Sequence, residues 1–250
     1  MNGGTRPLVT IVVPSYNQGR FLNAALESIF RQDVPVEVFV MDGGSSDNSV
    51  EVIQRHEAQL AFWRSERDAG QAAAINEGIA LGTAPFVAWL NSDDWYLDGA
   101  LVSLLTSLER NPAAPAVYGR AWNVVEASGR RYPVWVEPFS ERRLSLRCII
   151  SQPATLMRRS AWEAIGGVDS SLHLAMDYDL WWRLYKTFGP LAFTDEFVAV
   201  NRDHELTKTR NFRRRHYAEA MAVIRRHHGK VPLKWWLAQP YSVWFKSIFR

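Results

Sequence analysis

The feature that most constrains the fold is a repeated alternation of strand-like and helix-like segments in the N-terminal part of the chain. Apolar runs at 8–13, 36–41 and 86–90 have the pattern of strands buried on both faces of a sheet. Between them, apolar residues recur at helical spacing through 21–31 and 72–81. Strand–helix–strand units of this kind connect in the right-handed sense and build a parallel sheet. The sequence therefore predicts an α/β fold with a mixed, mostly parallel central sheet flanked by helices.

Each of these three predicted strands ends in polar residues, at 15–17, 42–46 and 91–94. In a parallel sheet these carboxyl ends lie at one edge, which is where open α/β sheets bind ligands. Asp93 and Asp94 supply carboxylate oxygens of the kind that Mg²⁺ and Mn²⁺ prefer, and such ions usually accompany a diphosphate. The cluster predicts a metal–diphosphate site, and the alternative is a solvated Asp-Asp turn.

The alternation of strands and helices stops after about residue 111, where a helix that includes Leu101 and Leu108 ends. A Ser128-Gly129 turn between two strand-like runs indicates an antiparallel hairpin. Strands are predicted at 116–118, 121–125, 132–136 and 151–158, and a short helix at 161–165. Asp177 comes just before a further helical pattern. This aspartate is either an N-cap residue or a carboxylate held at a helix start facing the cleft.

The chain has one cysteine, Cys148, no apolar signal-peptide region at 1–8, and no apolar stretch as long as a membrane-spanning helix. These features predict a cytoplasmic protein. Its net charge is +3, but the charge is unevenly distributed. From residue 206 onward there are 11 lysines and arginines against one acidic residue, Glu219. This basic tail is interleaved with aromatic residues through 212–250, which is typical of an interfacial amphipathic segment.

Two interpretations of the tail remain open. It either contacts the inner face of the cell membrane or packs its aromatic residues on the body of the protein. A nucleic-acid partner is not expected, because the acidic body would repel phosphates without an intervening cation.

Six blocks of the sequence together resemble family 2 glycosyltransferases of the bacterial cell-surface glycan type, with the glycosyltransferase-A fold. They occur in the order of that family between Leu8 and about His204. The blocks are V-T-I-V-V-P-S-Y-N at 9–17, V-M-D-G-G-S-S-D at 40–47, S-E-R-D-A-G-Q-A-A-A-I-N-E-G at 65–78, W-L-N-S-D-D at 89–94, Q-P-A-T-L-M-R-R at 152–159, and M-D-Y-D-L-W-W-R-L at 176–184.

The resemblance implies a catalytic domain over 1–205, with a nucleotide-binding half at about 8–110 and an acceptor half at about 111–205. The basic aromatic helical tail would follow at 206–250. The residues that would contact the nucleotide are Pro14, Ser15, Tyr16, Asn17, Asp42, Asp68, Gln71, Asn91 and Ser92. Among them, Asp42 would accept a hydrogen bond from the base, which favours uracil.

The resemblance also implies an inverting transfer from a nucleotide diphosphate sugar, with a UDP-sugar as the expected donor and Mg²⁺ or Mn²⁺ as the cofactor. The acceptor would be a hydroxyl of a glycan or of a lipid-linked sugar. Asp93 matches the family's metal ligand, with Asn91 in place of the first aspartate of the Asp-x-Asp motif and Asp94 in a supporting role. Asp177 matches the catalytic base. His204 is a further candidate metal ligand, and its alternative is a packing residue.

Two other functions remain possible at this point. One is a nucleotidyltransferase that acts on sugar phosphates, although the 9–19 segment lacks its Gly-rich loop with Arg and Lys. The other is a non-enzymatic basic module that binds membrane or nucleic acid through the tail. The chain contains no G-x-G-x-x-G and no G-x-x-x-x-G-K-[ST], which disfavours a dinucleotide-binding Rossmann site and a P-loop NTPase.

Overall fold

The computed structural model describes residues 6–239, in which nine strands form one sheet. The strands are β1 Val9–Ser15, β2 Val36–Asp42, β3 Phe62–Ser65, β4 Phe86–Trp89, β5 Trp95–Tyr96, β6 Ala116–Val125, β7 Arg131–Pro133, β8 Thr155–Arg158 and β9 Ala192–Asp203. Their order across the sheet is β3-β2-β1-β4-β8-β6-β9-β5, and β7 pairs with β6.

The described residues also form ten α-helices. They are α1 Gly19–Phe30, α2 Ser49–His56, α3 Gln71–Leu81, α4 Ala100–Arg110, α5 Glu141–Leu146, α6 Arg159–Ala164, α7 Met176–Phe188, α8 Lys208–Asn211, α9 Arg213–His228 and α10 Leu233–Gln239. Of these, α1, α2, α3, α4 and α6 contact strands of this sheet directly. None of the helices within 6–239 has the length and apolar character needed to span a bilayer.

The N-terminal half of the sheet is parallel, as the βαβ pattern predicts. β1 lies between β2 and β4 and runs parallel to both, with Ser15 opposite Asp42 and Val12 opposite Trp89. β3 continues the parallel arrangement on the other side of β2. The carboxyl ends of β1, β2 and β4 therefore lie at one edge, and the polar residues that follow them are brought together there.

The C-terminal half is mixed, because β8 is antiparallel to both β4 and β6 whereas β9 is parallel to β6. The predicted hairpin is present, with Asn123 opposite Tyr132. The prediction of two strands at 116–118 and 121–125 is wrong, because β6 is continuous with a register shift against β9. Gly119 lies at this irregularity, where an added Cβ would be 2.8 Å from Val198 Cγ2. The glycine interrupts the apolar pattern in the sequence without ending the strand.

Three other predicted boundaries also change. The strand expected at 132–136 is limited to β7, and the one expected at 151–158 begins only at Thr155, after a 3₁₀ turn over Gln152–Ala154. Strand β4 begins at Phe86 and ends at Trp89, and the chain returns to the sheet in the short strand β5. The Asn91–Asp94 segment thus forms a turn between two strands, which places its polar side chains at the sheet edge.

Two hydrophobic clusters cover the two faces of the sheet. Side chains of β1 alternate between them, with Ile11 and Val13 in one cluster and Val12 in the other, as the two-residue period of a strand requires. Helices α1, α2 and α4 contribute to the first cluster, and α3, α6, α7 and α9 to the second.

The described part of the tail packs on the body through one side of α9 and one residue of α10. From α9, Ala220, Val223 and Ile224 belong to the same core cluster as α7. From α10, the indole of Trp235 donates to the carbonyl of Ser145 at 2.8 Å. The division into a catalytic part and a tail at residue 205 stays a prediction. Tyr241, Trp244, Phe245 and Phe249, which also motivated the membrane interpretation, lie outside the described residues.

Candidate active site

A cavity of about 1580 Å³ lies at the carboxyl edge of the parallel strands. It is lined by ten of the thirteen site residues that the sequence predicts. These are Pro14, Ser15, Tyr16, Asp68, Gln71, Asn91, Ser92, Asp93, Asp94 and Asp177. The cavity therefore joins the polar ends of β1 and β4 to the start of α7, and carboxylates from distant segments face one space.

Asp42 has a different location from the one expected. Its side chain is fully buried, and its carboxylate accepts hydrogen bonds from Ser45 N (2.8 Å), Ser45 Oγ (2.6 Å) and Ser65 Oγ (2.6 Å). The following backbone at Gly43 and Gly44 lines the cavity instead. In this structure Asp42 shapes the loop after β2, which differs from the expected direct contact with the base.

Asn17 holds the loop after β1 against the loop after β2. Its backbone has a positive φ of 52°, a conformation that asparagine tolerates better than most residues. Its N–H donates to Ser45 Oγ at 2.7 Å, and its Oδ1 accepts from Ser46 N at 2.9 Å. Asn17 does not line the cavity, but it fixes the loop that presents Tyr16 there.

Asp93 and His204 form the candidate metal-binding pair. His204 Nε2 lies 2.9 Å from Asp93 Oδ2, although His204 is 2% exposed and does not line the cavity. Since His204 Nδ1 accepts from the N–H of Leu206, the proton is on Nε2 and is donated to Asp93.

These two residues fit an octahedral ion, because neighbouring ligands at about 2.1 Å from Mg²⁺ lie about 3 Å apart. The ion would take the place of the Nε2 proton. Among residues 6–239, no group of three or more His, Cys, Asp or Glu side chains is arranged to hold a metal. The remaining ligands would have to come from the bound diphosphate and water.

Asp94 is buried and stabilises the Asn91–Asp94 turn through hydrogen bonds. It accepts from Arg202 N at 3.1 Å and from Asn91 Nδ2 at 3.2 Å. Burial, together with the negative charge of Asp93, raises the pKa of Asp94 well above its ordinary value. Asp94 is therefore placed as a hydrogen-bond partner for Asn91 and for the backbone at Arg202.

Asn91 is at the centre of a polar network on the cavity wall. Its Oδ1 accepts from Gln71 Nε2 at 2.8 Å, and its amide group also donates to Gln152 Oε1 at 3.2 Å. Gln71 in turn accepts from Lys208 Nζ at 2.7 Å. An aspartate at position 91 would lose both donated bonds, which explains why an amide suits this site beside Asp94.

Asp177 is the second residue of α7, and the alternative of an N-cap role is wrong because Ala175 occupies the N-cap. Its Oδ1 accepts from the N–H of Tyr178 at 2.7 Å. Burial raises the pKa of Asp177, while the backbone N–H of Tyr178 and the charge of His216 act in the opposite direction. A carboxylate with a raised pKa beside a cavity is suited to accept a proton.

The geometry of this site agrees with the comparison to known proteins. Residues 10–166 match the model of glycosyl transferase family 2, which is more than half of the 250 residues. The chain belongs to glycosyl transferase family 2. This assignment confirms the resemblance and decides against a nucleotidyltransferase and against a non-enzymatic basic module.

Curated members of the family match this chain over a shared domain. The chondroitin synthase of Escherichia coli is 26% identical over 204 residues, which covers 78% of this chain and 29% of that protein. The chain spans about a third of the length of this chondroitin synthase and of two uncharacterized glycosyltransferases, from Rickettsia felis and Rickettsia conorii.

Solved structures show the same glycosyltransferase-A fold. The structure of S. aureus TarS 1-349 in complex with UDP-GlcNAc has a TM-score of 0.70 at 17% identity, and covers 88% of this chain and 66% of that one. The mannosyltransferase PcManGT from Pyrobaculum calidifontis, in complex with GDP-Man and Mn²⁺, has a TM-score of 0.71 at 21% identity. That match covers 98% of this chain and 74% of the mannosyltransferase.

Two cavity residues of this family 2 domain were missed by the sequence analysis. Gln152 begins one of the six blocks, and its Nε2 donates to the carbonyl of Trp89 at 2.8 Å, so its position in a recognised block was an available signal. His216 projects from α9 into the cavity and interacts electrostatically with Asp177. Nothing in the sequence around His216 indicates that α9 reaches the site.

Proposed function

We propose that this domain transfers a sugar from a nucleotide diphosphate sugar to a hydroxyl group of a glycan or lipid-linked acceptor, with inversion at the anomeric carbon. The observation that carries the proposal is that Asp93, at the diphosphate side, and Asp177, at the start of α7, line the same cavity. One carboxylate can hold the donor's charge through a cation while the other receives the acceptor's proton.

Asp177 is the proposed catalytic base. The acceptor oxygen forms a bond to the anomeric carbon, the bond from that carbon to the diphosphate breaks, and the hydroxyl proton passes to Asp177. A base on the face opposite the leaving group gives inversion, by the geometry known for inverting glycosidases. The nucleoside diphosphate leaves on the side of Asp93.

The donor side combines aromatic, acidic and amide groups. Pro14 and Tyr16 line the cavity where the base would bind, and Asp68 faces the same space. A bound Mg²⁺ or Mn²⁺ would neutralise the charge that develops on the departing diphosphate. A UDP-sugar is the proposed donor, with support from the UDP-GlcNAc complex of TarS. Because PcManGT was solved with GDP-Man, the affinity for GDP should be measured beside that for UDP.

Calorimetry with UDP and GDP, each with and without Mn²⁺, tests donor binding. We expect UDP to bind more tightly when Mn²⁺ is present, and His204→Ala to remove most of that metal dependence. Asp177→Asn should keep donor binding and lower the transfer rate about 10²–10⁴-fold, the usual contribution of a general base. Full transfer by Asp177→Asn would refute the base assignment, and UDP affinity indifferent to Mn²⁺ would refute the metal site.

We also propose that the tail contacts an anionic membrane surface, where a lipid-linked acceptor would be presented. α10 directs Trp235 toward the body, while Leu233, Trp236 and Leu237 are 70%, 48% and 72% exposed. These three positions share one side of a helix, and Lys234 is exposed beside them. Apolar side chains next to lysines suit an interface with anionic lipid.

Co-sedimentation with vesicles that contain phosphatidylglycerol tests this contact. Changing Leu233, Trp236 and Leu237 together to serine should abolish sedimentation and leave UDP affinity unchanged. The matched control is Val102→Ser on α4, an exposed apolar residue outside the tail. Equal vesicle binding by the triple variant and the wild type would exclude α10 as the contact.

A further inference from the structure

The C-terminal helix α9 lies beyond the family match at 10–166, yet two of its residues reach the neighbourhood of Asp177. Glu219 is the one acidic residue after position 205 in a segment rich in lysine and arginine. His216, three residues earlier on the same helix, lines the cavity together with Asp177. Their spacing places both residues on one side of α9.

Glu219 binds the segment that leads into α7. Its Oε2 accepts hydrogen bonds from the backbone N–H groups of His173 (3.1 Å), Leu174 (2.8 Å) and Ala175 (3.2 Å). Three consecutive N–H groups that lead into a helix form a favourable site for an anion, because they converge on one acceptor near the positive end of the helix dipole. A side chain from a distant helix therefore supplies the acceptor for the N–H groups of the N-cap residue Ala175 and of the two residues before it.

The hydrogen bonds to Glu219 favour the charged form of its carboxylate. Burial alone would raise its pKa, but the N–H groups of Leu174 and His173, followed by Arg215 and the N–H of Ala175, outweigh burial and lower it. Arg215 Nε donates to the other carboxylate oxygen, Oε1, at 3.0 Å. The two oxygens thus have separate partners, which allows the backbone contact to be tested apart from the ion pair.

We infer that Glu219 is a positioning residue for Asp177, because it fixes the 173–175 segment that immediately precedes this carboxylate. The inference rests on the proposed function for the role of Asp177 as base. Through the same contact Glu219 joins α9 to the segment before α7, on the side of α9 where His216 lines the cavity with Asp177.

Substitutions at Glu219 separate positioning from general stability. Glu219→Ala should lower kcat for transfer at least tenfold while the KM for the donor stays within twofold, because the nucleotide side of the cavity is built by β1, β2 and β4. Glu219→Gln keeps an acceptor oxygen and should restore kcat to between the values of Glu219→Ala and the wild type. Arg215→Ala, the matched control, removes the ion pair alone and should keep kcat within twofold.

Wild-type kcat in Glu219→Ala, or an equal loss of kcat and donor affinity, would overturn the inference. If Glu219→Ala does not fold, Glu219→Gln must still give a lower kcat than Arg215→Ala, and the reverse order would overturn it.

Amide hydrogen exchange tests the contact without any turnover. The amides of 173–175 should exchange at least tenfold faster in Glu219→Gln than in Arg215→Ala, while the amides of β1 and β4 stay unchanged. Unaltered exchange at 173–175 would show that Glu219 does not hold this segment. If the wild type transfers no sugar from any donor, the proposed function fails, and the exchange result still decides whether the segment before Asp177 depends on Glu219.

Discussion

Asp179, a fully buried carboxylate two residues after Asp177, links α7 to α9. Its Oδ2 accepts from Arg183 Nε at 2.6 Å, and its Oδ1 accepts from His227 Nε2 at 2.7 Å and from Arg226 Nη1 at 3.3 Å. Arg183 belongs to α7, whereas His227 and Arg226 belong to α9. Asp179→Asn removes the negative charge and leaves the cationic donors facing an amide group.

The expected cost of Asp179→Asn is large because breaking a buried charge pair usually costs about 3–5 kcal/mol. For a protein of this size each kcal/mol lowers Tm by about 2–4 °C, so Tm should fall by about 6–20 °C. The matched control is Arg226→Ala. Its side chain is 54% exposed, and exposed pairs contribute about 0–1 kcal/mol, so Tm should fall by less than about 4 °C.

Thermal unfolding followed by circular dichroism measures both variants. Burial opposes the charge on Asp179, but His227 and Arg183 outweigh it and lower its pKa below the ordinary value of 3.8. A lowered pKa in the folded state stabilises the protein above pH 3.8 and less as pH falls toward the folded value. The difference between wild type and Asp179→Asn should therefore shrink in acid. A Tm loss under about 2 °C at neutral pH would refute the reasoning.

Three further predictions concern the site and the core. Asn91→Asp should weaken Mn²⁺-dependent UDP binding in calorimetry, because it removes the donor to Asp94 at 3.2 Å; tighter binding would contradict this. Burial raises the pKa of Asp177 above 3.8. As pH is lowered, the rate of transfer should therefore begin to fall while the pH is still above 3.8. A rate that does not change with pH would contradict this. Gly78→Ala should destabilise the fold by about 1–3 kcal/mol in urea unfolding, since its Cβ would lie 2.7 Å from Val12 Cγ1; unchanged stability would contradict it.

The parallel half of the sheet was predictable because its signals are local. Apolar runs of strand length alternate with helical periodicity through 8–90, and the rule that βαβ units build a parallel sheet fixes which ends meet. The collection of Tyr16, Asn91 and Asp93 at one edge follows from that rule alone. The strand β6 was misassigned because the sequence around Gly119 reads as an interruption, whereas its pairing with β9 maintains the strand.

Side-chain partners were not predictable in the same way. The sequence placed Asp42 at the end of β2, but only the folded loops show that Ser45 and Ser65 donate hydrogen bonds to its carboxylate. The position of His204 against Asp93 likewise depends on the path of the chain after β9. Hydrogen bonds between residues far apart in sequence leave no periodic signal in a single chain.

The sequence by itself determined the α/β architecture, the edge of the sheet that carries the site, and the family of the protein, because each depends on local pattern or on motif order. Only the tertiary structure decided that α9 belongs to the site, with Glu219 on the 173–175 segment and His216 in the cavity. The physical reason is that a helix's apolar period predicts that one side is buried, but not against which surface. That choice is made by the packing of α9 on α7.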